Sequence, residues 1–187
     1  MEMLDIVDEN GSPTGQIVER TTAHKLGIRH RTSHVWLARL HDGECQLLLQ
    51  KRCANKDSFP GCYDISSAGH IPAGVDYIPS ALRELSEELG VSALDEELLP
   101  CGRRYIYYER TFYGEPFIDS QITNVYVMWR DLEPEEFMLQ KSEVDSVMWM
   151  ELDECIKTVD ENTIPNCIMP EELQMVKKRI MKELKGR

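Results

Sequence analysis

Apolar positions along this chain fall into short runs separated by turn signals, and only three stretches carry a helical period. Residues 4–7 and 16–20 flank a segment containing Asn10-Gly11 and Pro13-Thr14-Gly15, which predicts an opening hairpin over about residues 1–20. Residues 33–40 and 45–51 are β-prone and joined by Asp42-Gly43, a second hairpin. Pro60-Gly61 precedes a short strand at 63–67. Residues 101–111 and 118–130 read as long strands around Tyr113-Gly114-Glu115-Pro116, and 144–150 as one more. The helices are Tyr77–Leu89, residues 152–158 and residues 171–185. The last is amphipathic through Leu173, Val176, Ile180 and Leu184. Strands outnumber helices and most are hairpin-linked, so the pattern predicts an α/β fold with a mixed sheet flanked by helices.

The first long helix has defined ends. Asp76 is placed as its N-cap, Pro79 lies in the first turn, and Gly90 stands where a left-handed C-terminal cap belongs. Leu82, Leu85 and Leu89 share one side. Glu84 and Glu88 stack one turn apart on another, with Glu87 beside them and Arg83 four residues before Glu87. Clustered carboxylates on an anchored helix are a ligand set for a hard cation such as Mg²⁺. Taken alone, the same cluster also reads as a solvated acidic face.

Composition narrows the setting. At 187 residues the chain is read as one domain, 1–187, large enough for an ordinary core. The formal net charge of −12 argues against a nucleic-acid polymer as partner. No apolar run reaches the ~20 residues that span a bilayer, and the N-terminus lacks a signal-like region, so no membrane partner and a cytoplasmic location are expected. The six cysteines are scattered without a Cys-x-x-Cys pair and are read as free thiols.

The run from Gly69 to Val91 resembles the Nudix box: a glycine, five residues, a glutamate, seven residues, then Arg-Glu, an aliphatic residue, any residue, Glu-Glu, any residue, Gly and an aliphatic residue. Here Gly69 is followed by Val75 at the first glutamate position, and Arg83-Glu84-Leu85-Ser86-Glu87-Glu88-Leu89-Gly90-Val91 completes the pattern. The resemblance implies a Nudix-type α/β/α sandwich and Mg²⁺ or Mn²⁺ held by Glu84, Glu88, Glu87 and the carbonyl of Ala68. It gives Glu87 a shared role as ligand or water-polarising group, oriented by Arg83. Val75 departs from the pattern at the residue that ties loop to helix, and Asp76 is the neighbouring substitute. Glu143, in a loop before a strand, is the candidate base from outside the box; the alternative is a surface carboxylate.

Beyond the box, Leu47–Arg52, Phe59-Pro60-Gly61 and Asp64–His70 look like the Nudix subgroup related to isopentenyl diphosphate isomerase. That likeness implies a phosphate clamp from Arg52 and Lys56, with solvated loop cations as the alternative. It makes His70 and His30 similar to isomerase metal-site histidines, without that site's other carboxylates. His70 is carried as a substrate-side residue and His30 as a core histidine, while His24 carries no assignment. The isomerase's catalytic Cys and Glu align with Ala68 and Gln121, which leaves alkene protonation without its groups. The expected function is therefore hydrolysis of a diphosphate linkage in a nucleoside diphosphate derivative or related small molecule. An isomerase-like enzyme and a catalytically silent binding or regulatory domain are the alternatives. A homodimer is left open.

Overall fold

The computed structural model describes residues 1–186. Strands β1 (Met3–Val7) and β2 (Pro13–Glu19) form the opening hairpin, followed by a short helix α1 (Arg20–Leu26). The central sheet contains β3 (His30–His41), β4 (Glu44–Arg52), β5 (Tyr63–Asp64), β6 (Ser67–His70), β7 (Leu99–Phe112), β8 (Glu115–Trp129) and β9 (Val144–Glu151). Helices α2 (Tyr77–Leu89), α3 (Leu152–Asp160) and α4 (Pro170–Gly186) cover it.

The sheet is mixed. β3 runs parallel to β8 and antiparallel to β4 and β6, and β9 pairs antiparallel with β4. Alternate side chains of the central strands enter two separate cores. Trp36, Ala38, Leu47, Leu49, Val125 and Val127 pack toward α3 and α4. Val35, Leu37, Leu48, Tyr126 and Met128 pack toward Ala81, Leu85 and Leu89 of α2. Strands buried on both faces read as continuous apolar runs, which is how residues 33–40 appear in the sequence. The α/β/α layering thus follows from β3, β4 and β8 having no solvent-facing side.

Three expectations change. Residue 20 was read as the end of a strand, yet it opens α1. Glu19 caps that helix by accepting from Thr22 N at 3.1 Å, and Gly27 closes it in a left-handed conformation. The helix escaped the pattern because its seven residues hold only Ala23 and Leu26 as apolar members, and Leu26 is exposed. The strand expected at 63–67 is split into β5 and β6 at Ser66. The Ser66 hydroxyl accepts from Leu37 N at 2.8 Å and donates to Leu48 O at 2.6 Å, replacing ladder bonds between neighbouring strands. Asp76 occupies the N-cap position of α2 without a side-chain cap bond.

Asp76 does not tie the loop down either; its exposed carboxylate reaches only Arg31, at 3.7 Å. Asp5 of β1 does that work. Its Oδ2 accepts from Gly74 N at 2.9 Å and from Arg31 at 2.8 Å, while Arg31 also donates to Val75 O at 2.9 Å. Ala73 N donates to Met3 O at 2.8 Å. The N-terminal hairpin therefore holds the Gly69–Val75 loop that a box glutamate would otherwise secure.

Candidate active site

Helix α2 has the bounds the pattern predicts, and Gly90 caps it with φ of 69°. Leu85 and Leu89 are fully buried, so the helix is pinned to the sheet in one rotation. That rotation carries Glu84 and Glu88 to a cavity of about 190 Å³. Ala68, Gly69 and His70 of β6 line the same cavity. Gly69 is required there: a methyl group on it would overlap Cγ and Cδ of Glu84. Gly69→Ala is accordingly expected to force Glu84 out of place, cost about 1–3 kcal/mol of stability and weaken Mg²⁺ binding at least about tenfold. Calorimetric titration with Mg²⁺ checks this; wild-type affinity in the variant would mean Glu84 is not needed.

Both carboxylates are far from their solution behaviour. Burial, countered in part by Arg83, raises Glu84 to about 7. Burial, reinforced by the nearby Glu84 charge, raises Glu88 to about 8. Glu88 Oε2 is buried with no hydrogen-bond partner among the described residues. A buried carboxylate oxygen without a donor is unfavourable unless a cation completes it. The residues present thus fit a divalent ion held by Glu84 and Glu88.

Arg83 and Glu87 stand apart from the cavity lining. Arg83 reaches Glu84 at 2.5 Å and Glu87 at 2.8 Å, and the Glu87 side chain is half exposed. Arg83 thereby fixes the Glu84 carboxylate that the cavity uses, while Glu87 lies further out. Lys56, Arg52 and Glu143 do line the cavity, with partners already in place. Lys56 is ion-paired with Glu143. Arg52 binds Asp64 at 2.9 Å and the Ser58 carbonyl. Burial and the Asp64 charge act oppositely on Arg52, and Asp64 prevails, raising its pKa.

A second group holds His30 and His70, which the resemblance pairs, and adds His24 and Asp119 to them. Ring nitrogens of His24, His30 and His70 lie within 4.8 Å of one another. Asp119 Oδ1 is 3.6 Å from His24 Nδ1 and 3.8 Å from His30 Nε2. Burial, with His30 adding to it, drives His24 down to about 3, and burial also lowers His30 and His70. Neutral imidazoles are the metal-ligating form, and His24 Nδ1, His30 Nε2 and Asp119 Oδ1 lack hydrogen-bond partners among the described residues. The cluster has the composition of a nitrogen-rich site for a borderline metal. His30 is fully buried, as a core histidine would be, and His24, His70 and Asp119 lie around it. His24 was missed because it sits on the unpredicted α1. Asp119 was missed because an acidic residue in an apolar strand gives no signal until its partners are known.

Residues 29–168 match the family model described as NUDIX domain. An uncharacterized Nudix hydrolase of Clostridium acetobutylicum is 36% identical over 85% of this chain and 74% of its own length. Nudix hydrolase 3 of Arabidopsis thaliana is 36% identical over 82% of this chain, which spans only 20% of that longer protein. Among solved structures, the Deinococcus radiodurans protein DR0079 superposes with a TM-score of 0.67 at 19% identity, covering 92% of this chain and 98% of that one. The NUDIX domain of Shewanella oneidensis NrtR, solved with ADP-ribose, gives 0.59 at 15% identity over 87% and 94%. At such identities the superpositions speak for the fold alone.

Proposed function

Because the chain belongs to the Nudix family, we propose that it hydrolyses a diphosphate linkage in a nucleoside diphosphate derivative or related small molecule, with Mg²⁺ or Mn²⁺ held by Glu84, Glu88 and the Ala68 carbonyl. The observation that carries this reading is the partnerless, buried Glu88 Oε2 beside Glu84, facing a cavity that also holds Lys56 and Arg52. When bound, the cation neutralises diphosphate oxygens and makes an attacking water easier to deprotonate.

The remaining steps belong to the chain's own side chains. Arg83 holds the Glu84 carboxylate in the rotamer the cation needs and restrains Glu87 behind it. Lys56 supplies a charge-assisted bond to a phosphate oxygen. A phosphate arriving at Lys56 displaces Glu143, its present partner. Glu143 is then a free carboxylate next to the diphosphate and accepts the proton from water. Clamp and base are thus released from each other by the substrate itself. Arg52, committed to Asp64, shapes this wall and adds a second positive charge.

Purified protein incubated with ADP-ribose, nucleotide sugars, dinucleoside polyphosphates and nucleoside diphosphates should release phosphate-bearing product from at least one of them. Release should stop with EDTA and return with Mg²⁺ or Mn²⁺. ADP-ribose heads the panel because the similarly folded NrtR domain was solved with it. No metal-dependent release from any member would leave the silent binding domain as the reading.

The histidine cluster with Asp119 favours a second reading, an isomerase-like enzyme. The thiol of Cys167 and the phenol of Tyr108 border the same cavity, although burial raises both pKa values and keeps both groups protonated. Conversion of isopentenyl to dimethylallyl diphosphate by the purified protein would select this reading over the hydrolase.

A further inference from the structure

The metal-side cavity, at about 190 Å³, is smaller than the roughly 300–1,000 Å³ of small-molecule sites. It has room for a diphosphate and its ion but not for a whole substrate of the proposed class. A second cavity of about 520 Å³ adjoins it. Glu2, Arg20, His24 and Phe117 line both, so the two lie side by side across a shared wall. One wall of the second cavity is the α1 surface, with Thr21 and Lys25. The other is the tip of the β7–β8 hairpin, with Phe112, Tyr113 and Pro116.

We propose that this second cavity is the subsite for the uncharged nucleoside end of the substrate, its base lying against Phe112 and Tyr113. The inference rests on the hydrolase reading only for what occupies the first cavity.

Three observations point to that chemical class. The hairpin wall is aromatic and braced. Phe112 meets Phe117 edge to face, with ring centroids at 5.4 Å and planes at 82°, and Phe59 lies 4.9 Å from Phe112. The Tyr113 hydroxyl donates to Lys56 O at 3.0 Å, tethering the hairpin tip to the loop that carries the phosphate-side lysine. Flat, fixed aromatic faces suit a heterocyclic base, whichever base it is.

Charge excludes a longer phosphate chain from this end. The lining holds four carboxylates, Glu2, Glu19, Asp57 and Glu115, against Arg20 and Lys25. Arg20 is spent on Glu2 at 3.3 Å. Like charge so placed repels a phosphate and leaves acceptors for ribose hydroxyls and ring amines. His24 supplies the third observation. It stacks on Phe117 at 4.3 Å, and this pair borders both cavities, so a ligand reaching from one to the other would lie along it.

The test uses adenosine as the probe, without phosphate and without metal. Adenosine should bind the full-length protein by NMR or calorimetry. Lys25→Trp, which fills the cavity from an exposed position, should weaken that binding at least tenfold. Phe112→Ala should weaken it by roughly five- to 150-fold, the conversion of about 1–3 kcal/mol of base stacking. With ADP-ribose, Lys25→Trp should raise KM about tenfold and leave kcat within a factor of two. Adenosine that fails to bind the wild type, or binds both folded variants unchanged, overturns the subsite; so does a fall in kcat at constant KM. If the wild type turns over nothing yet binds adenosine in a Lys25→Trp-sensitive way, the subsite stands and the hydrolase reading falls.

Discussion

Glu88→Gln is expected to lower metal-dependent turnover by roughly 10³-fold while making the metal-free protein more stable at alkaline pH. The first part follows from the loss of a charged ligand. A cation bound at the transferring phosphate contributes several kcal/mol of charge stabilisation, and about 1.4 kcal/mol corresponds to each factor of ten. The second part follows from burial. Glu88 is raised from 4.5 to about 8, so its folded form holds a proton that the unfolded form releases. Such a group favours folding at low pH, and its contribution is lost as pH rises from 4.5 through about 8. Glutamine resembles the protonated carboxyl and cannot ionise. Wild type and variant should therefore melt together near pH 4.5, and the variant should melt roughly 10–20 °C higher above pH 8, since a shift from 4.5 to about 8 is worth about 5 kcal/mol and 1 kcal/mol is worth about 2–4 °C at this chain length. Adding Mg²⁺ above pH 8 should raise the wild-type melting temperature and leave the variant's unchanged. Turnover in the variant close to wild type would move the metal away from α2 altogether.

The opposing signs make this a specific signature. A carboxylate that merely decorates the surface changes neither quantity, and one that only supports the fold lowers stability when replaced. A group kept for binding a cation is destabilising until the cation arrives, as expected where binding geometry has been favoured over stability. Glu84, raised to about 7 for the same reason, should show a weaker form of the same behaviour because Arg83 already offsets part of its charge.

What the sequence disclosed, and what it did not, divides along the range of the interactions. Helix α2 was legible to the residue because its determinants are local: a leucine stripe, a glycine at the left-handed position and a proline tolerated in the first turn. β3 and β4 were legible as apolar runs, and burial on both faces explains why they showed little alternation. Of the histidine cluster only His30 and His70 were legible, through resemblance; His24 and Asp119 were not, since the four residues come from four separate elements and meet only when β3 pairs with β6 and β8. The Asp5–Arg31 tie on the box loop is likewise long-range, joining β1 to β3 across the hairpin that the pattern did predict. The Lys56–Glu143 pair shows the same limit. Each residue carried a role in the sequence, and only the fold brings the two together.

Glu172→Ala should be the most damaging single change away from the site, costing about 3–5 kcal/mol. Glu172 is 2% exposed and accepts from three directions: His34 Nδ1 at 3.0 Å, Trp36 Nε1 at 2.9 Å and Arg104 at 2.8 Å. It thereby locks α4 to β3 and β7. Burial alone would raise its pKa, but the His34 charge and these donors bring it down to about 2. Burial would lower His34, and Glu172 overrides it in turn, so His34 is raised. Alanine takes the buried counter-charge from His34 and leaves Arg104 only the exposed Glu171 at 3.6 Å, and the cost is that of poorly paired buried charges more than of a lost attraction. At about 2–4 °C per kcal/mol the melting temperature should fall by roughly 6–20 °C. The pH dependence has a definite sign at each end. The Glu172 contribution is present above 4.5 and lost as pH falls toward about 2. The His34 contribution is complete below 6.5 and lost as pH rises through its raised folded value. The gap between wild type and Glu172→Ala should therefore be widest between about pH 4.5 and 6.5, and narrower at pH 9, because the His34 contribution declines once the pH passes the unfolded value of 6.5. Urea denaturation at pH 5.5 and pH 9 measures both, and a gap below about 1 kcal/mol at pH 5.5 would show that α4 is held by its apolar stripe alone.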